Sequence, residues 1–276
     1  MRYVGVALFL LFLLALLVDQ EGGYLSSLRH YVENREVLTL EANYSPEQIL
    51  QLHKQDFTDS GRRSLEPELK FAPYLLMEVK WRTAKGMTKE SAILFSLSDG
   101  EMVLDTNSWE KTHGFQDTLN AGATAQEFLL LNILSRAQGS LTIDQLQKTL
   151  KLEPEKLDKL IQSTKHKHLT IQRGNEVALH FQHPHFHVHP ETYIHHWLVS
   201  KPNDPAKRLP HNYTPAQIER LARAAFGSDF TIRSTKEVSL PLYQIQVVNP
   251  DNSILTTYWN ALNGQPLIPT YGIANF

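Results

Sequence analysis

The heptapeptides Asn43-Tyr44-Ser45-Pro46-Glu47-Gln48-Ile49 and Asn212-Tyr213-Thr214-Pro215-Ala216-Gln217-Ile218 share Asn, Tyr, Pro, Gln and Ile at a constant offset of 169 positions. A chain of 276 residues that repeats one local pattern so far apart is expected to build two like units with a further module between them. Ser45 and Thr214 stand as helix N-caps, Pro46 and Pro215 suit the first helical position, and Gln48 and Gln217 are placed as capping-box partners. Ile49, Leu50, Leu52 and His53 supply the face of the first helix. Both helices end near a phenylalanine, Phe57 or Phe226, which predicts an anchor into one small core. Asn43-Tyr44-Ser45 and Asn212-Tyr213-Thr214 also match the N-glycosylation acceptor pattern, but capping accounts for the hydroxyl residues more simply.

Around each helix the pattern turns to strands. Glu36 to Ala42 alternates apolar and polar residues, while Tyr74 to Trp81 and Leu242 to Val248 read as strands that follow Pro73 and Pro241. Glu90 to Leu97 turns at Ser98-Asp99-Gly100 into Glu101 to Leu104; Leu255 to Leu262 turns at Asn263-Gly264 into Gln265 to Ile268. Each unit therefore reads as a strand, a helix and three more strands, with one helix covering an antiparallel sheet and Ile49, Leu52, Ile218 and Leu221 buried. In this element order and in the glycine turn, each unit resembles PepSY-type domains. That resemblance implies small extracytoplasmic modules of helix on sheet.

Between the units, Thr124-Ala125-Gln126-Glu127 is a capping box for a helix over Ala125 to Gln138 that carries Phe128, Leu130, Leu131 and Leu134, and Gly139 stops it. A second helix is expected over Ile143 to Leu150 and a third over Pro154 to Thr164. Leu169 to Gln172 and Val177 to Phe181 then form a hairpin through Gly174. This order resembles the winged-helix family over Thr124 to Gln182. In DNA-binding members the third helix enters the major groove. Here that helix shows Glu155, Lys156, Asp158, Lys159, Gln162, Ser163 and Lys165, of mixed sign, and the wing offers only Arg173. Such a face suits contact with protein better than with phosphate, and no nucleic-acid partner is expected.

At the N-terminus, Arg2 precedes sixteen uncharged residues, Tyr3 to Val18, and Asp19 and Glu21 follow. The length lies between that of a cleaved signal and that of a spanning helix. With no Ala-x-Ala site after Leu17, a membrane anchor is the reading taken, and a secreted chain is the alternative. Arg2 before the segment and acids after it place the body outside the cytoplasm, periplasmic in a bacterium.

A formal charge of -2 gives no bulk attraction to polyanions, and with no cysteine there is no disulfide or thiolate chemistry. No nucleophile elbow, His-Glu-x-x-His helix, phosphate loop or dinucleotide glycine pattern occurs, so the chain is read as non-enzymatic, with no catalytic, cofactor-binding or metal residue assigned. Seven of the thirteen histidines fall between His180 and His196. If extended, His183, His185, His187 and His189 share one face and Pro184, Phe186 and Val188 the other. Three readings stand: an edge strand or linker with a polar face, a metal site, or a hinge whose imidazoles repel once protonated.

The expected fold is thus α+β: two repeated helix-on-antiparallel-sheet units flanking a winged-helix-like module, after an N-terminal membrane segment. The bounds are 1–23 for the anchor or signal, 24–118 for the first unit, 119–182 for the central module and 183–276 for the second unit. The expected function is that of an extracytoplasmic protein-binding scaffold or assembly factor, held at the membrane by its N-terminal segment. Its partner is a protein, and no small-molecule substrate or cofactor is assigned. The alternatives are a membrane-linked DNA-binding regulator and a histidine-rich metal-binding protein.

Overall fold

A computed structural model describes residues 36–58, 61–83, 85–181, 184–186 and 188–267. The N-terminal apolar run lies outside these residues, as do His183, His187 and Ile268. No described helix is long and apolar enough to cross a membrane. The fold is α+β, with seven α-helices among the described residues, a large curled sheet and a small one.

Two long strands, β3 (Glu68–Arg82) and β11 (Phe230–Val248), run antiparallel through the middle of the large sheet, with Ala72 opposite Leu240. On one side β3 carries β4 (Thr88–Ser96), then β5 (Met102–Asp105) and β6 (Glu110–Lys111). On β11 lie β12 (Ile254–Asn260) with β13 (Pro266–Leu267), the short β2 (Arg63–Ser64), and β1 (Glu36–Leu40) with β10 (Leu198–Pro202) outside it. The strands expected in two separate units thus share one sheet.

Pro73 and Pro241, expected to precede strands, lie within them. The Pro73 carbonyl accepts from Leu97 N–H at 3.0 Å and that of Pro241 from Ala261 N–H at 3.1 Å. N–H and carbonyl of a strand residue point to the same side. The donor that each proline lacks would therefore have faced a hairpin turn and not the β3–β11 ladder.

The helix over Pro46–Leu52, α1, starts as its sequence dictates. Ser45 Oγ accepts from Gln48 N–H at 3.3 Å and Gln48 Oε1 accepts from Ser45 N–H at 2.7 Å. It stops at His53, and α2 (Lys54–Thr58) follows. Helices this short are marginal alone. Buried Ile49 and Phe57 anchor the pair against Ile245, Val247 and Trp259, each contributing about 1.5–3 kcal/mol on burial. Leu52, expected inside, is 63% exposed. The helix breaks just after it, and the His53 ring takes the inward place, 4.5 Å from Trp259 with Nε2 3.0 Å from the Gly264 carbonyl.

The later helix α7 (Pro215–Phe226) has the same capping box, with Gln217 Oε1 accepting from Thr214 N–H at 2.8 Å. Its buried Ile218, Leu221 and Ala222 join the core of Leu75, Met77, Ile93 and Phe95 from β3 and β4. The helices therefore cross over: the one before β3 rests on β11 and β12, and the one before β11 shares a core with β3 and β4. The phenylalanines consequently enter different cores. Phe57 meets Trp259 at 5.0 Å, and Phe226 meets Phe230 at 5.0 Å.

After β6 come α3 (Phe115–Asn120), α4 (Ala125–Arg136), β7 (Ser140–Thr142), α5 (Ile143–Leu150), α6 (Pro154–His166), β8 (Thr170–Arg173) and β9 (Glu176–Leu179). Strand β7 completes a sheet in the order β7-β9-β8. The expected helices and hairpin are present, with α4 two residues shorter and α6 two longer. Phe128, Leu130, Leu131 and Leu134 of α4 belong to the same buried cluster as β3, β4 and α7. The central helices are packed onto the sheet, not suspended from it.

Candidate binding groove

A cavity of about 430 Å³ lies where four parts of the chain meet. From α4, residues Ala125, Leu129, Asn132 and Arg136 face it. They recur every three or four positions, so they form one helical stripe, distinct from the buried Phe128, Leu131 and Leu134. The end of β3 contributes Trp81 and Arg82, the last turn of α7 contributes Ala224, Ala225 and Phe226, and Val188, His189 and Pro190 close the remaining side. Leu129 is 53% exposed. The Asn132 Oδ1 is buried and accepts no hydrogen bond from any described residue.

The wall around Trp81 is held from several directions. Its indole N–H donates to Ser91 Oγ at 3.2 Å, and that hydroxyl donates to the Pro190 carbonyl at 2.5 Å. His189 stacks on the indole with centroids 5.5 Å apart, and Lys89 Nζ stands 5.8 Å from the ring centroid. The groove thus has an apolar floor with Arg82, Arg136, His189 and Asp229 at its margin. That lining suits an apolar side chain of a partner, ringed by polar contacts.

The histidine-rich segment builds this wall. Phe186 and Pro190 are buried while His185 and His189 are exposed, the alternation that an extended segment gives. Phe186 packs so closely on Gly114 that an added Cβ there would lie 2.9 Å from its ring. Thr192 donates its N–H to Ala92 O at 2.8 Å and its hydroxyl to Val103 O at 2.6 Å, covering the edge of β4. The other histidines are dispersed. His180 Nδ1 bonds the His168 carbonyl at 3.0 Å, and His195 Nε2 is 3.2 Å from Asp105 Oδ2. His196 sits between Thr106 Oγ1 and Asn43 Nδ2, each at 3.0 Å, and burial followed by the nearby His195 holds its pKa below the usual imidazole range. Among the described residues no group of three metal-ligating side chains converges.

On α6 the exposed charges are of mixed sign, and two of its lysines are engaged. Lys156 meets Glu153 at 3.0 Å, and Lys165 Nζ donates to Gln172 Oε1 at 3.2 Å. Just beyond the helix, Lys167 meets Glu127 at 2.7 Å. Burial opposes ionisation of Glu127, but Lys167, Thr124 N–H and Ser163 outweigh it and hold the carboxyl below its ordinary range. Arg173 is exposed at the end of β8.

A second concentration of polar groups lies beneath the Asp99-Gly100 turn. Lys111 Nζ is 2.6 Å from Asp99 Oδ2 and 5.8 Å from the Tyr74 ring centroid. Glu101, 5% exposed, caps α3 by accepting from the N–H groups of Gly114 (3.0 Å), Phe115 (3.3 Å) and Gln116 (2.9 Å) and from the Thr112 hydroxyl (2.7 Å). Burial pushes this carboxyl up to about 7, against the pull of those donors.

The sequence did not single out the groove. Its one legible sign is the Leu129-Leu130-Leu131 run, since three consecutive leucines on a helix cannot all face the same core. No family model, curated protein or solved structure matches this chain.

Proposed function

We propose that this protein is a non-catalytic scaffold or assembly factor that binds another protein outside the cytoplasm, held at the membrane by Tyr3 to Val18. The observation that carries the binding role is the groove between α4, α7, the end of β3 and Val188–Pro190, with exposed Leu129 in it. Its walls are tied into the main core, so a partner meets a preformed surface and little ordering is required on binding.

In this proposal the two helix-on-sheet units are duplicates arranged about the β3–β11 pair. Three matched pairs of contacts support it. Asn43 and Tyr44 both donate N–H to Ala261 O at 2.9 Å, and Asn212 and Tyr213 donate to Leu97 O at 3.0 and 2.9 Å. Asn43 Nδ2 donates to Leu262 O at 3.2 Å, and Asn212 Nδ2 to Ser98 O at 2.7 Å. Each motif thus docks on the turn of the opposite unit. The PepSY-type likeness of the units and the winged-helix likeness of the central module belong to the same proposal. The helix-strand-helix-helix-hairpin order with sheet order β7-β9-β8 supports the second.

The DNA-regulator alternative fits less well, because Lys156 and Lys167 are already engaged by carboxylates. A topology reporter fused after Phe276 tests the compartment and should report an extracytoplasmic C-terminus. Native gels of solubilised membranes test the binding role: Leu129→Glu, a change at an exposed position, should release the chain from a larger complex. A cytoplasmic C-terminus, or a complex indifferent to that substitution, would contradict the proposal.

A further inference from the structure

Among the described residues eight large apolar side chains stand exposed, and three of them, Tyr193, Trp197 and Leu198, fall within six consecutive positions. One exposed apolar residue is ordinary on a surface, but three together mark a patch. From Thr192 to Trp197 burial alternates as in an extended segment. Thr192 is buried and Ile194 and His196 are half-buried, so Tyr193, His195 and Trp197 share the outward side. The inward side is pinned. Thr192 Oγ1 accepts from Leu94 N–H at 2.9 Å on the edge of β4, and His196 sits between Thr106 and Asn43. The Trp197 carbonyl accepts from Glu41 N–H at 2.9 Å, which extends the β1–β10 ladder by one pair and holds the exposed indole at the rim of the large sheet.

Strand β10 is the outermost strand on this side of the sheet. A free edge can take a strand from another chain, but this one is short, carries exposed Lys201 and ends in Pro202, which has no N–H to give. Lys201 stands four residues after Trp197 and so on the same side of the ladder. An indole and a phenol with a lysine beside them are the side chains that settle at the boundary between lipid headgroups and acyl chains. The rings enter the apolar layer while the N–H, the O–H and the ammonium stay among the headgroups. Charge alone would not hold such a contact, because Glu41 is exposed opposite Trp197 and Asp105 Oδ2 lies 3.2 Å from His195 Nε2.

The tether brings this rim within reach of a bilayer. With Tyr3 to Val18 as the membrane anchor, residues 19–35 are all that separates the bilayer from Glu36 at the start of β1, and seventeen residues span at most about 60 Å. Trp197 lies only about 17 Å from Glu36 along β1. Tethering replaces bulk affinity by a high local concentration, so a small patch suffices. We propose that the rim from Tyr193 to Trp197 docks on the lipid surface, with the Trp197 indole at the boundary of headgroups and acyl chains, and so fixes how the body is oriented on the membrane. The inference rests on the anchor reading and is independent of the groove and its partner.

The test uses the full chain reconstituted into phosphatidylcholine vesicles, with and without bromine on the acyl chains, and reads tryptophan emission. Bromine quenches an indole only on contact. Of the four tryptophans, Trp81, Trp109 and Trp259 are 9%, 8% and 3% exposed against 79% for Trp197, so Trp197 supplies the emission that lipid can reach. Brominated vesicles should remove most of the Trp197 emission, at high salt as at low. Trp197→Phe, a change at an exposed position, should leave a residual emission that bromine does not alter. Tyr193→Glu should weaken the quenching of Trp197 several-fold, because a carboxylate beside the indole resists leaving water. The proposal is overturned by quenching that persists in Trp197→Phe, that is unchanged in Tyr193→Glu, or that vanishes at high salt. A chain that floats with the vesicles while Trp197 stays unquenched overturns this inference alone, and if it is then a dimer joined through β10, strand pairing between copies takes its place. A chain that does not float with the vesicles overturns the anchor reading and this inference together.

Discussion

The Tyr44 ring lies against Gly264 so closely that a Cβ added to the glycine would stand 3.3 Å from Cδ1 of the ring. Tyr213 stands against Gly100 in the opposite turn, 3.5 Å from such a Cβ, with Leu119 Cδ2 at 3.0 Å. Both glycines have positive φ, +70° and +73°. The contacts close the start of α1 on the turn between β12 and β13 and the start of α7 on the turn between β4 and β5, so the two turns are expected to be weak points of the fold.

Gly264→Ala and Gly100→Ala should each lower stability by about 1–2 kcal/mol from backbone conformation, with more from crowding. Gly86 has φ +77° but nothing within 4 Å of an added Cβ, so Gly86→Ala should show only the backbone part. Urea unfolding curves of the three variants check this. Equal losses at all three positions would mean that Tyr44 at Gly264 and Leu119 at Gly100 add no crowding.

The buried Glu127–Lys167 pair should behave unlike the surface Glu153–Lys156 pair. Lys167→Met leaves the Glu127 carboxylate, 3% exposed, without its cation, at an expected cost of about 2–3 kcal/mol. Lys156→Met, where both side chains are about two-thirds or more exposed, should cost no more than about 0.5 kcal/mol. Thermal unfolding at neutral pH separates the two.

Glu101 sets a pH dependence whose sign follows from its raised pKa. The folded state binds this proton more tightly than the unfolded chain. The resulting stability is complete below about 4.5 and is lost as pH rises through about 7. The upper bound is ~3.5 kcal/mol, at about 1.4 kcal/mol per unit. The lowered carboxyls Asp99 and Glu127 act in the opposite sense, losing their contribution as pH falls below their ordinary values near 4. Glu101→Gln should therefore flatten the stability profile between pH 4.5 and 7. Parallel profiles for variant and wild type would remove Glu101 from the account.

Duplex DNA should not be retained by the full chain in a low-salt gel shift. On α6, Glu155 and Asp158 stand exposed among Lys156 and Lys159 and would be pressed against phosphate. Salt-sensitive binding lost on reversing the charges of Lys156, Lys159 and Lys165 would overturn both this expectation and the extracytoplasmic assignment.

The local signals in the sequence translated directly into structure. Ser45, Thr124 and Thr214 cap helices with the glutamine or glutamate three residues on, because a capping box is a local hydrogen-bond pattern. Gly100 and Gly264 mark the turns for a similarly local reason, their positive φ. What depends on distant chain was hidden. Pro73 and Pro241 looked like strand boundaries, since only the position of the neighbouring hairpin shows that their missing donors are harmless. Nothing local in Ile49 or Ile218 tells which strands of the large sheet it will bury against. The groove draws two to four residues from each of β3, α4, α7 and the segment after β9, so its one trace in the sequence is the leucine at 129 that the core does not use.

Site-specific photocrosslinking from position 129, with the full chain in its native membrane, tests the binding role most directly. The account predicts one discrete adduct between this protein and a second protein, lost when Ala225→Arg fills the groove and absent when the crosslinker stands at exposed Lys151 on the central module. No adduct at position 129, or the same adduct from both positions, would contradict it.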